Sequence, residues 1–153
     1  MPNTKPIGVA YEDQAISGGS VDNTPIGAST ASTVVGTTIY ASSELGYTAA
    51  AQGTVTQATD KSTGVTLNKS SGRITMNNAA LAANTAVTFT LTNSVISVKD
   101  AIIVNVSGGA TAAAYTTYIS SMTAGSADIT LRNMTGGSLS EAVIINFAII
   151  HGV

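Results

Sequence analysis

Acid–base and nucleophilic chemistry in this chain would have to run through very few side chains. There is one histidine, His151, there is no cysteine, and eight acidic residues are spread over 153 positions. Without cysteine, thiol catalysis, disulfides and Cys-based zinc sites are excluded, and the redox compartment is left open. A Ser-His-Asp triad would need His151. It stands third from the end of the sequence, where an imidazole is a poor general base unless something holds it. No serine lies in a Gly-x-Ser-x-Gly nucleophile elbow. Paired carboxylates for glycoside cleavage would have to come from Asp60, Asp100, Asp128 and Glu141. Asp60 falls in the turn-like Thr59-Asp60-Lys61-Ser62, Asp100 begins a strand, and Asp128 alternates outward. Each therefore reads better as a turn residue or a solvated charge. No His-x-x-x-His pair or EF-hand loop occurs, and the acids are too sparse for a calcium site. The expectation is a protein with no catalytic residues, no metal and no cofactor.

Other patterns have plain structural readings. Gly108-Gly109 and Gly136-Gly137 lack the Gly-x-Gly-x-x-Gly and Walker contexts and read as hairpin turns. Asn68-Lys69-Ser70, Asn105-Val106-Ser107 and Asn133-Met134-Thr135 match the glycosylation sequon, which a Ser/Thr/Asn-rich chain produces by chance. Thr88, Thr90 and Thr92 form a ladder of the kind an ice-binding face would use. Such a face needs the ladder repeated over many strands, so an exposed sheet face is the better reading. Tyr115 and Tyr118 are three apart in a strand and point to opposite faces, so they do not make one aromatic platform for sugar.

The elements that would position these residues are strands. From about Gly53 onward, short β-branched runs alternate with Gly, Asn, Asp and Ser. The pattern predicts strands at 53–58, 64–68, 73–77, 85–92, 100–107, 113–121, 126–133 and 141–150, and an earlier one at 33–41. Alternation is clearest where Val87, Phe89 and Leu91 interleave with Thr88, Thr90 and Thr92. The run from Val143 to Ile150 is apolar on both faces, as in a central strand or a covered edge. Each large apolar side chain buried there contributes ~1.5–3 kcal/mol. Residues 78–84, with four alanines and Leu81, suggest one helical turn. Ser138-Leu139-Ser140-Glu141 matches a capping box, but the β-branched residues that follow keep the strand assignment. Eight short strands at this spacing predict an all-β fold, an antiparallel β-sandwich or jelly roll.

Composition agrees. Charged residues are 9% and hydrophobic residues 44%, with net charge −2. This is the reverse of the disordered signature, and it suits exposed sheet or a surface covered by neighbours, where few charges need desolvating. The six cations, Lys5, Lys61, Lys69, Arg73, Lys99 and Arg132, are scattered, so nucleic acid has no electrostatic footprint. The opening residues lack a signal-peptide core. The longest apolar stretch, 142–150, is about half the ~20 residues of a membrane helix, so no membrane partner is expected.

Residues 1–50 read as an extended N-terminal arm and 51–153 as the β-domain. The arm holds all three prolines and half the acids, and its apolar residues are isolated anchors that cannot offset chain entropy alone. It contains an echo: Pro6-Ile7-Gly8 matches Pro25-Ile26-Gly27. Proline presets φ, isoleucine is an apolar knob and glycine allows close approach. These six residues are the candidate docking contacts.

The stretch from Thr24-Pro25-Ile26-Gly27-Ala28-Ser29 through Val34-Val35-Gly36-Thr37-Thr38 resembles a segment of tailed-bacteriophage fibre and head-associated proteins. There an Ile-Gly pair precedes a Ser/Thr-rich turn and a short strand. The chain departs from that pattern in lacking the mid-turn proline and in placing Val34, Val35 and Ile39 where an aromatic is usual. Gly64-Val65-Thr66-Leu67-Asn68, Gly72-Arg73-Ile74-Thr75-Met76, Ile129-Thr130-Leu131-Arg132-Asn133 and 138–147 are similar to phrases of small phage structural proteins. The resemblance implies a sandwich or jelly-roll virion subunit with no catalytic residues. The expected role is a capsid decoration (cement) protein, made in the host cytoplasm and placed on the capsid exterior. Its partners would be the major capsid protein and itself, as a homotrimer. A fibre or spike module binding host surface glycan is the alternative, and a hydrolase stands third.

Overall fold

A computed structural model describes residues 34–152. The chain divides into two units, residues 1–42 and 43–153. In the first unit the described residues 34–42 form no strand. Val34, Val35, Ile39 and Tyr40 are exposed there, and β-branched residues without a neighbouring strand to pack on do not make one. The strand expected at 33–41 is therefore absent over its described part.

The second unit opens with a single 3-10 turn, Ala49–Ala51, followed by eight strands. These are β1 (Gln52–Thr56), β2 (Val65–Thr66), β3 (Ser71–Thr75), β4 (Ala86–Thr92), β5 (Ala101–Gly108), β6 (Tyr115–Thr123), β7 (Ser126–Asn133) and β8 (Ile144–Ile150). They make two four-stranded sheets. Sheet A has the order β1-β3-β8-β5 and sheet B the order β2-β4-β7-β6. β1 is parallel to β3 and β2 to β4, while β8 and β7 are antiparallel to both of their neighbours. Thus β1, β3 and β5 share one direction, as do β2, β4 and β6. The first six strands wind back and forth between the sheets, and β7 and β8 then return between their turns. The fold is a β-sandwich with mixed sheets.

The core lies between the sheets. Ile74, Ile145, Phe147 and Ile149 from sheet A meet Phe89, Leu91, Ile129 and Leu131 from sheet B, and Met76, Leu81, Ile96 and Val143 from the connections close it. Strand β4 alternates as expected, with Phe89 and Leu91 inside and the threonines outside. Strand β8 is central, which explains its apolar residues on both faces.

Three local expectations change. Residues 78–84 are not helical, because the Leu81 N–H and C=O both pair with Leu139 and Asn133 Nδ2 donates to the Leu81 and Ala82 carbonyls. The capping box does not form. Leu139 is in that bridge, and the Glu141 carboxylate accepts from Thr111 instead. The glycine pairs do not make hairpins either. Gly109 follows β5 and Gly136-Gly137 follow β7, and both connections cross between sheets. The one hairpin within a sheet joins β6 to β7 through Ala124-Gly125, where Gly125 takes φ +83°, a conformation that glycine adopts without penalty.

Buried amides hold the connections in place. Gln57 Nε2 donates to the Lys61 and Thr63 carbonyls while its Oε1 accepts from Asn77 N. Asn93 and Asn133 are fully buried and do the same for the loops around them. Backbone groups buried in irregular segments must find partners, and these side chains supply them.

Candidate functional site

The only histidine is held. His151 Nδ1 lies 3.1 Å from Asp100 Oδ2, and the Asp100 side chain is 1% exposed. Asp100 stands at the end of the loop before β5 and also accepts from Ser97 N at 2.8 Å, Ser97 Oγ at 2.9 Å and Gly152 N at 3.1 Å. The Ser97 backbone N–H does most to lower the Asp100 pKa, with the Ser97 hydroxyl, the Gly152 N–H and His151 adding to it against the opposing effect of burial, and the result is about 2. Serine, aspartate and histidine thus meet, but the carboxylate is in the middle. A triad needs the imidazole between serine and acid. What this arrangement does is tie the end of β8 to the start of β5. The expectation of a loose imidazole and a solvated Asp100 is corrected, because neighbouring loop N–H groups converge on one carboxylate.

Lys61 is the second departure from the sequence reading, where it was one of six scattered cations. It is 3% exposed, and its Nζ donates at 2.5 Å to the Asn77 and Glu141 carbonyls. Burial lowers its pKa, with the Glu141 charge acting the other way. The Thr111 hydroxyl and N–H hold the Glu141 carboxylate below its usual range. The Tyr115 hydroxyl beside it is buried and makes no hydrogen bond of normal geometry, and burial, then Glu141, push its pKa up to about 12. The cluster closes one set of inter-sheet connections.

Asp60 and Asp128 take no part in either cluster. Asp60 caps its own turn, accepting from Ser62 and Thr63, and these hydroxyls hold its pKa low. Asp128 faces outward and accepts from Thr90 Oγ1. Among the described residues no three of His, Cys, Asp and Glu are grouped to hold a metal, and no helix is long and apolar enough to cross a membrane. Tyr115 packs against the core and Tyr118 is exposed, as their spacing requires. Asn133 cannot accept a glycan, because its buried Nδ2 is committed to three carbonyls.

Surfaces offer more than clefts. The strand register lays the outward side chains of sheet A in rows. One row reads Thr54, Arg73, Asn146 and Asn105, and the next Gln52, Ser71, Ala148 and Ile103. Beyond them Ala101 pairs with Ile150. The face is therefore divided. Its β1–β3 half is an open groove of about 440 Å³ lined by Gln52, Thr54, Ser71, Arg73 and Asn146. Its β5–β8 half exposes Ile103 (55%) and Ile150 (57%). None of the four edge strands, β1, β2, β5 and β6, carries a charged residue or a proline. Those are the usual protections of an unpaired edge. Strands β1 and β2 are short, and the ladder of β6 is broken by a bulge near its middle. Strand β5 is eight residues long, shifts register only near its end, and stands beside the apolar patch.

The six candidate docking residues, Pro6, Ile7, Gly8, Pro25, Ile26 and Gly27, lie outside the described residues. Strand alternation alone did not reveal the Arg73–Asn146 row, because which strands are neighbours is set by tertiary pairing. Comparison with protein families, with curated proteins and with solved structures found no match.

Proposed function

We propose that this chain is a structural, non-catalytic protein that works by assembling on a larger particle. Within that class, the reading favoured is a bacteriophage capsid decoration protein that sits on the capsid exterior, contacts the major capsid protein and associates with itself as a trimer. The observation that carries it is the β5 side of the sandwich. There an eight-residue uncharged edge strand carries exposed Ile103 and pairs with β8, which exposes Ile150. An apolar patch beside an unprotected edge marks a protein–protein contact. The resemblance of residues 24–38 and of the β-domain phrases to phage virion proteins is what supports a phage capsid as the particle. In this reading Ile7 and Ile26 are knobs that dock on capsid subunits, and the β5 side joins the copies to one another.

The test is co-sedimentation with capsids that lack the protein. The full chain should pellet with them. A chain without residues 1–30 should keep its β-type circular dichroism and stay in the supernatant. Normal pelleting of the truncated chain would sink the docking role of the arm. Failure of the full chain to pellet would sink the decoration reading.

A further inference from the structure

We propose that the groove over β1 and β3 binds an acidic glycan, with Arg73 taking a carboxylate and Gln52, Asn146 and Thr54 taking hydroxyls. The proposal goes beyond the decoration reading and does not depend on it. It concerns the half of sheet A that association through β5 leaves uncovered.

Arg73 is an exposed, outward-facing residue that lines the groove. Its Nε makes only a long 3.4 Å bond to Asn146 Oδ1. No carboxylate among the described residues is within ion-pairing distance of it, and its terminal N–H groups make no hydrogen bond to another described residue. Asn146 Oδ1 also accepts from Ser107 Oγ at 2.9 Å. Both of these contacts fall on the amide oxygen, which leaves the Asn146 NH₂ as a donor with no partner among the described residues. Gln52 is set the opposite way. Its Nε2 donates to the Tyr47 carbonyl at 2.7 Å, which leaves its amide oxygen as an acceptor. The groove therefore offers a cationic fork and an amide donor at one end and an acceptor at the other. The rows of this face contain no acidic side chain to repel an anion.

This pattern selects among anionic ligands. A guanidinium fork matches a planar carboxylate in two parallel bonds. Separate donors and acceptors a strand or two away, about 5–10 Å by sheet spacing, suit hydroxyls on the same chain of sugars. A free phosphate is usually met by several convergent backbone N–H groups, and here the backbone groups that face each other between β1 and β3 are engaged in their ladder. An acidic peptide would want an apolar anchor pocket. The groove is shallow, and the space beneath Gly53 and Gly72 is filled by the Leu67 side chain.

The experiment is titration of the full chain with polygalacturonate, with neutral dextran, poly-glutamate and inorganic phosphate as comparison arms. The expected result is binding to polygalacturonate that weakens with added salt, with little binding to the other three. R73Q should lose roughly tenfold or more, the size expected for a charge-assisted pair. R73K should recover only part, because it lacks the fork. Arg73 lies on an exposed face, so melting curves of both variants should match the parent. Absence of polygalacturonate binding, unchanged binding by R73Q, or equal binding to poly-glutamate would each overturn the proposal.

Discussion

The outer faces of the two sheets are built from similar residues and differ in what they leave available. On sheet B the hydroxyls pair among themselves. Thr88 Oγ1 and Thr130 Oγ1 are 2.7 Å apart, Thr130 Oγ1 donates to Ser120 Oγ at 2.9 Å, and Thr90 Oγ1 donates to Asp128 at 2.8 Å. Thr130 points outward yet is buried beneath its neighbours. On sheet A the outward groups split into an open polar groove and an apolar patch with Ile103 and Ile150 exposed. A face whose polar groups satisfy each other has little to gain from a partner. A face with unused donors on one side and exposed isoleucines on the other has two separate reasons to be covered. Threonine content alone does not distinguish the cases, since cross-strand register decides which hydroxyls meet.

The comparison can be broken in several ways, beginning with the largest expected effect. Ile103→Lys combined with Ile150→Lys should abolish self-association in light scattering at concentrations where the parent is oligomeric. Its melting temperature should stay close to that of the parent monomer, because both side chains face away from the core. Within β8, Phe147→Ala on the inner side should cost about 3–5 kcal/mol in urea unfolding, the range for a buried aromatic. The neighbouring Asn146→Ala, outward on sheet A, should change stability by no more than about 0.5 kcal/mol. Thr130→Val on sheet B tests the self-satisfied face. It removes the hydroxyl shared by Thr88 and Ser120 and should cost about 1 kcal/mol. A zero cost there would mean the hydroxyl ladder is solvated.

Acid gives a further handle, on the tie between β5 and β8. The Asp100 pKa is lower folded, about 2, than its ordinary value of 3.8. A carboxylate of that kind contributes stability that is present above the unfolded value and lost as pH falls through 3.8 toward 2. Denaturation curves between pH 5 and 2 should show that loss, and Asp100→Asn should flatten it.

Much of the β-domain was legible in the sequence because its strands bury one face. Period-two alternation at Val87, Phe89 and Leu91 and again at Ile129 and Leu131 located β4 and β7, and the two-sided apolar run located β8. Pairing was not legible. Nothing local tells β1 to lie parallel to β3, or sends Gly109 and Gly136-Gly137 across to the opposite sheet. Single polar residues were harder still. Lys61, Gln57, Asn93 and Asn133 are ordinary in composition, and each is tied to a backbone group in a distant segment: Lys61 to the Glu141 carbonyl, Gln57 to the Asn77 N–H, Asn93 to the Lys69 carbonyl and Asn133 to the Leu81 carbonyl. His151 looked free because its partner, Asp100, is 51 residues away. The groove shares this difficulty. Arg73 and Asn146 are 73 residues apart, and only the register of β3 on β8 places them side by side.

The central claim is that sheet A and its β5 edge form the contact side while sheet B remains exposed. Amide hydrogen exchange, compared between the associated protein and the Ile103→Lys, Ile150→Lys variant, tests it directly. The account predicts added protection over Ala101–Gly108, where the outer edge of β5 has no hydrogen-bonded neighbour, and no change over Tyr115–Thr123. Protection gained along β6 with none along β5 would contradict it.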